Sequence, residues 1–235
     1  MQKYIDSHCH LPKSGDFQDA FARANAAGIM ACVLNATKET DWQQIINIAN
    51  ENKNVVGCIG IHPWDSDTAS PNWATDMSTL LELNPHIMVG EVGLDKTRDN
   101  FAAQERVFIR SLELAIKYNR VLNLHCVHAW DSVLHILKSY KKSLPKIVVH
   151  GFDGTQNAID FDENLYFSYS PNIAKPNYNK IKLSLCKMPK NKILLESDSA
   201  DLMPLLTAAD AVLVARSDIT ATDIYNNTMG VFFNG

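Results

Sequence analysis

The chain has no Cys-x-x-Cys spacing, and its five cysteines, Cys9, Cys32, Cys58, Cys126 and Cys186, are widely scattered and odd in number. That excludes a zinc site of the thiolate type. It also argues against a disulfide framework, since most of these thiols sit in apolar runs where a free cysteine packs as a small hydrophobe. No Gly/Ser-rich or Pro-rich linker, low-complexity tract, charge block or repeat divides the 235 residues. No apolar stretch is long enough to cross a bilayer and no charged-then-apolar leader is visible. The expectation is therefore a reduced, cytoplasmic protein without membrane insertion, and no motif points to a protein partner. An excess of positive charge is missing as well. A formal charge of -4 gives no long-range attraction to nucleic acid, so a polyanionic substrate such as DNA or another phosphodiester has to be held locally, by metals or a small basic patch.

What is present is 46% hydrophobic content, enough for one sizeable core, with residues 1–235 read as a single domain. Eight short, continuous apolar runs read as strands: Tyr4 to Cys9, Met30 to Asn35, Val55 to Ile61, Ile87 to Val92, Val121 to Cys126, Lys146 to His150, Leu165 to Tyr169 and Ile193 to Glu196. They do not alternate apolar with polar, as expected of strands buried on both faces. Helical patterns lie between them. The clearest runs from Ala102 to Tyr118, with Phe108, Leu112, Ala115 and Ile116 at helical spacing, and Trp130, Val133, Leu134 and Leu137 repeat the pattern.

Eight alternating β and α units predict an α/β fold of the closed parallel TIM (β/α)8 barrel type, because each parallel connection needs a crossover helix. The rival is an open doubly wound sheet. That fold normally carries a glycine-rich phosphate loop after its first strand, where this chain has Ser7-His8-Cys9-His10-Leu11-Pro12. The polar residues favour the barrel. His8, His10, His62, Glu91, His125, His150 and Asp198 all fall at the C-terminal ends of expected strands, the face where catalytic groups of such barrels gather.

His8 and His10 are the sharpest signal. Residues i and i+2 of a strand project to the same face, so a run ending in His-x-His aims two imidazoles at one point. Imidazoles with two carboxylates and no thiolate pattern suit one or two divalent ions such as Zn, Mn or Mg. A carboxylate such as Glu91 can bridge two of them about 3.5–4 Å apart, with a metal-activated hydroxide as nucleophile. The bland alternative for each residue is a hydrogen-bonded strand end or a structural core histidine, and the convergence of seven candidates on one barrel face weighs against it.

The ordered motifs Asp6-Ser7-His8-Cys9-His10-Leu11, Gly60-Ile61-His62-Pro63, Gly90-Glu91-Val92-Gly93-Leu94-Asp95, Gln104-Glu105-x-x-Phe108, Leu124-His125-Cys126, Val149-His150-Gly151-Phe152-x-Gly154 and Leu194-Leu195-Glu196-Ser197-Asp198 span nearly the whole chain. Through them it resembles the TatD family of metal-dependent deoxyribonucleases among the amidohydrolase-like barrels. The resemblance implies phosphodiester hydrolysis, often exonucleolytic, with His8, His10 and Asp198 on one divalent ion, His125 and His150 on a second, and Glu91 between the two. The rim departs from the family pattern. Val127 stands where an arginine is usual, Asp198-Ser199-Ala200-Asp201 replaces Asp-Ala/Ser-Pro-Tyr, and an arginine-bearing loop that normally follows is missing.

The remaining candidates are assigned around that cage. Asp198 is read as both ligand and manager of the nucleophile's proton, with Glu91 beside it as the second catalytic group. His62, Trp64, Lys96 and Arg98 are the substrate-side candidates. His62 either orients a phosphate or packs under the metal loop, Trp64 either stacks on a base or lids its loop, and Lys96 or Arg98 supplies positive charge. Glu196 is expected behind a ligand as a hydrogen-bonding anchor. His128 reads more readily as a helix-start residue than as a substrate contact, and His86 and His135 receive no role. Two other functions stay open: an amidohydrolase-like enzyme acting on a small amide, ester or phosphate ester, and a non-catalytic metal-binding protein.

Overall fold

The apolar runs form eight strands: β1 (Tyr4–His10), β2 (Ile29–Asn35), β3 (Val55–Ile59), β4 (Met88–Asp95), β5 (Leu122–Val127), β6 (Ile147–Val149), β7 (Leu165–Tyr169) and β8 (Ile193–Leu195). They lie in one sheet in chain order, and each is parallel to the next. A computed structural model describes residues 2–13 and 16–233. Met1, Ser14, Gly15, Asn234 and Gly235, part of the expected 1–235 extent, lie outside the described residues. The crossovers are α1 (Phe17–Ala26), α2 (Trp42–Glu51), α3 (Trp73–Leu83), α4 (Phe101–Tyr118), α5 (Trp130–Ser139), α6 (Gln156–Ile159) and α7 (Asn179–Lys187), and α8 (Leu205–Ala215) and α9 (Ala221–Phe232) follow β8. None of the described helices is long and apolar enough to cross a membrane.

The longer helices bury an apolar stripe, as their periodicity dictates. On α4, Val107, Phe108, Leu112 and Ala115 are buried, and fully burying a side chain such as Phe108 or Leu112 stabilises the fold by roughly 1.5–3 kcal/mol. Asn119 ends that helix in a left-handed conformation (φ 51°), its backbone N–H donating to the carbonyls of Ala115 and Ile116.

The two ends of the sheet meet through side chains and loop backbone. Ser7 Oγ donates to the Leu195 carbonyl (2.9 Å) and lies 2.6 Å from Ser168 Oγ, while the Ser197 N–H donates to Asp6 Oδ1 (3.0 Å). Above them the Asp198 N–H donates to the His8 carbonyl (3.0 Å) and the His10 N–H to that of Ser199 (3.1 Å). Helix α9, started by a Thr220–Asp223 capping box, packs across β1 and β8. The chain therefore closes into a nearly complete eight-stranded parallel barrel, as expected.

Two strand bounds differ in ways that matter for the site. Strand β4 continues to Asp95 instead of ending at Val92, with Gly93 paired to His125, Leu94 to Cys126 and Asp95 to Val127. Glu91 thus sits inside a strand and not at a strand exit. Gly93 is needed for close approach: a Cβ there (φ 150°) would overlap the backbone of His125. Strand β3 stops at Ile59, before the expected Ile61. A Cβ on Gly60 would run into the backbone of Gly90, and Pro63, which has no N–H to donate, opens a 3-10 turn over Pro63–Asp65. His62 is consequently a loop residue.

Candidate metal centre

The C-terminal end of the barrel opens into a cavity of about 320 Å³ lined by His10, His62, Glu91, His125, His150 and Asp198, with Thr37, Trp64 and Asp65 at its mouth. Five of the chain's eight histidines meet here or directly beneath it, His8 being the one below. Glu91, only 2% exposed, is the central group. Its Oε2 faces His8 Nε2 (3.4 Å) and His10 Nε2 (3.6 Å). Its Oε1 faces His125 Nδ1 (2.8 Å), His150 Nε2 (2.7 Å) and His62 Nε2 (3.4 Å). Asp198 Oδ1 approaches from the loop after β8, 3.5 Å from His10 Nε2 and 3.9 Å from His8 Nε2. Groups within metal-holding reach are His8, His10 and Asp198; His8, Glu91 and His150; His62, Glu91 and His125; and His150, Glu196 and Asp198.

The outer ring of contacts fixes which nitrogen each imidazole presents. Asn123, buried on β5, donates from Nδ2 to the Ser7 carbonyl, so its Oδ1 is left to accept from His8 Nδ1 (3.0 Å). His10 Nδ1 lies 3.3 Å from the Asn35 carbonyl, which can only accept. Both rings therefore hold their proton on Nδ1 and turn an Nε2 lone pair inward, and the two Nε2 atoms stand 3.1 Å apart. Facing lone pairs repel unless a cation or a shared proton lies between them. His125 Nε2, His150 Nδ1 and Glu196 Oε2 are buried without a hydrogen-bond partner. Such a donor set, with carboxylates and no thiolate, fits hard or borderline divalent ions.

His62 is arranged differently. The Trp64 backbone N–H donates to His62 Nδ1 (3.1 Å), which occupies that lone pair and leaves the proton on Nε2, pointing into the cavity. Burial brings its pKa down to about 4, so the ring is neutral and a donor at ordinary pH. His62 therefore presents an N–H where His8 and His10 present lone pairs.

The charges of the cluster oppose one another. Burial alone would raise the Glu91 carboxyl, but the His150 and His8 rings and hydrogen bonds from His125 and His150 hold it well below the usual carboxylate range. Burial likewise opposes ionisation of Asp198, and the neighbouring His10, His150 and His8 rings bring it down to about 2. Burial depresses His8, helped by His150. For His150 burial is outweighed by Glu91 and Glu196, which hold it well above its ordinary value, and for His10 it is outweighed by Asp198 and Glu91, a rise again. Two carboxylates with lowered pKa values among crowded rings make a site for compact positive charge.

All six expected ligands, His8, His10, Glu91, His125, His150 and Asp198, are brought together. Glu196 lies behind His150, with Oε1 3.8 Å from Nδ1 and accepting the Gly151 N–H (2.6 Å). Of the substrate-side candidates, His62 and Trp64 line the cavity, whereas Lys96 and Arg98 are not among its lining residues. The Arg98 guanidinium stacks over the Trp64 ring at 4.2 Å and the Lys96 ammonium lies 5.7 Å from the Phe101 ring. One face of Trp64, 51% exposed, is thus covered by Arg98. His128, exposed between β5 and α5, His135 on α5 and His86, in the turn before β4 at the other end of the barrel, stay outside the cavity.

Sequence reasoning gave no role to Asn123 or Asp95. Asp95 Oδ2 accepts the Trp64 indole N–H (2.7 Å) and stands 3.4 Å from His125 Nε2, so one carboxylate ties the rim aromatic to a cage imidazole. Thr97 donates to its Oδ1 through both N–H and hydroxyl, and the Gln104 amide clamps its backbone on both sides. The Thr97 and Trp64 bonds to its carboxylate hold Asp95 at about 2 against the opposing effect of burial. The visible signal for Asn123 is a polar residue two places before His125 in a buried strand, where i and i+2 share a face.

A family model described as TatD related DNase matches residues 5–217. The chain is 31% identical over 213 residues to a protein of Escherichia coli K12 named uncharacterized metal-dependent hydrolase YjjV, with 86% of this chain and 81% of that protein covered. It is 31% identical over 198 residues to a protein of Edwardsiella piscicida named 3'-5' ssDNA/RNA exonuclease TatD, covering 81% of this chain and 76% of that one. Among solved structures, the Escherichia coli YjjV crystal structure superposes with a TM-score of 0.88 at 26% identity, over 98% of both chains. A TatD family hydrolase from Entamoeba histolytica shares the fold (TM-score 0.82, 18% identity, 100% and 99% covered).

Proposed function

The chain belongs to the TatD family of DNase-related metal-dependent hydrolases, and from that premise we propose that it hydrolyses phosphodiester bonds, removing nucleotides from the ends of single-stranded DNA or RNA. One observation carries the reading: the two oxygens of Glu91 face two different sets of imidazoles, His8 and His10 on one side, His125 and His150 on the other. A carboxylate so placed is suited to bridge two divalent cations, with His8, His10 and Asp198 completing one site and His125 and His150 the other. Bound there, Zn, Mn or Mg would lower the pKa of water toward neutrality and stabilise charge on a phosphoryl oxygen.

The protein's own groups divide the remaining work. Asn123 and the Asn35 carbonyl keep the Nε2 lone pairs of His8 and His10 aimed inward. Asp198, ionised and with a side chain 40% exposed at the cavity mouth, is the group placed to accept a proton from an attacking water. His62 offers its Nε2 proton to a non-bridging phosphate oxygen, and the exposed part of the Trp64 ring gives a base an apolar surface. Five free thiols, four of them buried, fit our placement of this activity in the cytoplasm.

The test is release of mononucleotides from end-labelled single-stranded DNA with Mg²⁺ or Mn²⁺, run beside Glu91→Ala. Metal-dependent release that disappears in the variant is the expected result. A metal-loaded protein that releases none, yet cleaves a small ester or amide, overturns the phosphodiester reading in favour of an amidohydrolase.

A further inference from the structure

Beside the metal cavity lies a second and larger hollow of about 840 Å³, a size typical of ligand sites. It shares His10 and Thr37 with the cavity and runs outward between the loops that follow β1, β2 and β8. Leu11 and Pro12 form an apolar wall, Lys13 and Lys38 bring two ammonium groups and Gln44 an amide. The one carboxylate in the hollow, Asp41, is occupied: its Oδ2 accepts both the backbone N–H and the hydroxyl of Thr37 at 3.2 Å. Lysine and arginine ion pairs among the described residues are made by Arg110, Lys180, Lys190 and Arg216, so Lys13 and Lys38 are in none.

We propose that this hollow is the track for the substrate strand, in which Lys13 and Lys38 bind the phosphates flanking the scissile one. The proposal rests on the phosphodiester reading above and deepens it. A chain of net charge -4 has to hold a polyanion locally. The cations expected to do so, Lys96 and Arg98, are spread over aromatic rings and do not line the cavity, and Val127 adds no charge at the end of β5. The hollow joins the metal cavity where His10 and Thr37 line both, and it sets cations that are in no ion pair next to an apolar wall, a combination suited to a sugar-phosphate strand. The short segment after Asp198 leaves only the small side chain of Ala200 beside that track.

The test compares metal-loaded wild type, Lys13→Ala/Lys38→Ala and Ala200→Trp on two substrates. One is a single-stranded oligodeoxythymidylate and the other bis(p-nitrophenyl) phosphate, which has no flanking phosphates. Lys53→Ala, beyond α2 at the opposite end of the barrel, serves as control. We expect the ratio of kcat/KM for oligonucleotide over small diester to fall roughly tenfold in the double variant, through KM, as two charge-assisted phosphate contacts are lost. The salt slope of log KM should flatten by about 1.4, at about 0.7 per single-strand phosphate. Ala200→Trp should lower the same ratio by occluding the track, and Lys53→Ala should leave it alone. A ratio and slope unchanged in the double variant, while wild type cleaves both substrates, overturns the track and leaves the phosphodiester reading standing. Failure of metal-loaded wild type to cleave either substrate overturns both.

Discussion

Glu91 and Trp64 face the same cavity from different kinds of backbone. Glu91 is held inside β4, whose neighbours on both sides are bonded strands, and its side chain is almost wholly buried. Trp64 sits in a 3-10 turn after β3, half exposed, and is kept in place by the Asp95 carboxylate and the Arg98 guanidinium. Four cage residues, His8, His10, Glu91 and His125, lie within strands, and His150 and Asp198 follow β6 and β8. The rim is set by a handful of side-chain contacts on loops, where substitution leaves the barrel intact. Cage and rim therefore differ in how much neighbouring structure holds each side chain in place.

The sharpest way to break the comparison is at its centre. Glu91→Ala should reduce bound metal and lower kcat by roughly 100–1,000-fold, the scale of losing one group that stabilises transition-state charge. Full activity and metal content in that variant would falsify the dinuclear arrangement. Acid should act on the cage and spare the rim. Ligating imidazoles must be neutral, and His10 and His150 have raised pKa values in the metal-free protein, so protons displace metal as the pH falls through and below their range. His62, down at about 4, stays neutral in that window, so His62→Ala should not shift the midpoint of metal release measured by dialysis at stepped pH.

Smaller effects are expected further out. Asn123→Ala should weaken metal binding about 10–100-fold by freeing the His8 tautomer, read by competition with a chelating dye; unchanged affinity would remove Asn123 from the cage. Asp95→Asn should cost about tenfold in kcat/KM, because it disturbs both the Trp64 anchor and the His125 environment. Arg98→Ala should change KM for single-stranded DNA by less than about threefold, since its charge lies over an exposed ring and not in the cavity. A larger loss would place Arg98 on the substrate.

Much of this was legible residue by residue. Eight continuous apolar runs with intervening helical stripes gave the barrel, because burial on both strand faces leaves no room for alternation. His8 and His10 were readable as a pair because strand periodicity is local. The bounds of β3 and β4 were harder. Gly60, Gly90 and Gly93 look like breakers in one dimension, and only the approach of neighbouring strands explains them. The partners of Asp95 and Asn123 were hidden for the same reason: Trp64 is 31 residues from the first, and His8 is 115 from the second.

The sequence by itself determined the fold class and marked six candidate cage residues, since periodicity and donor chemistry are properties of the chain. The tertiary structure decided which oxygen of Glu91 faces which imidazoles, why His62 presents a proton where His8 presents a lone pair, and that Lys96 and Arg98 lie outside the cavity lining while Lys13 and Lys38 line the hollow beside it. Those are matters of which distant groups exhaust a donor or a lone pair, and no local pattern encodes them.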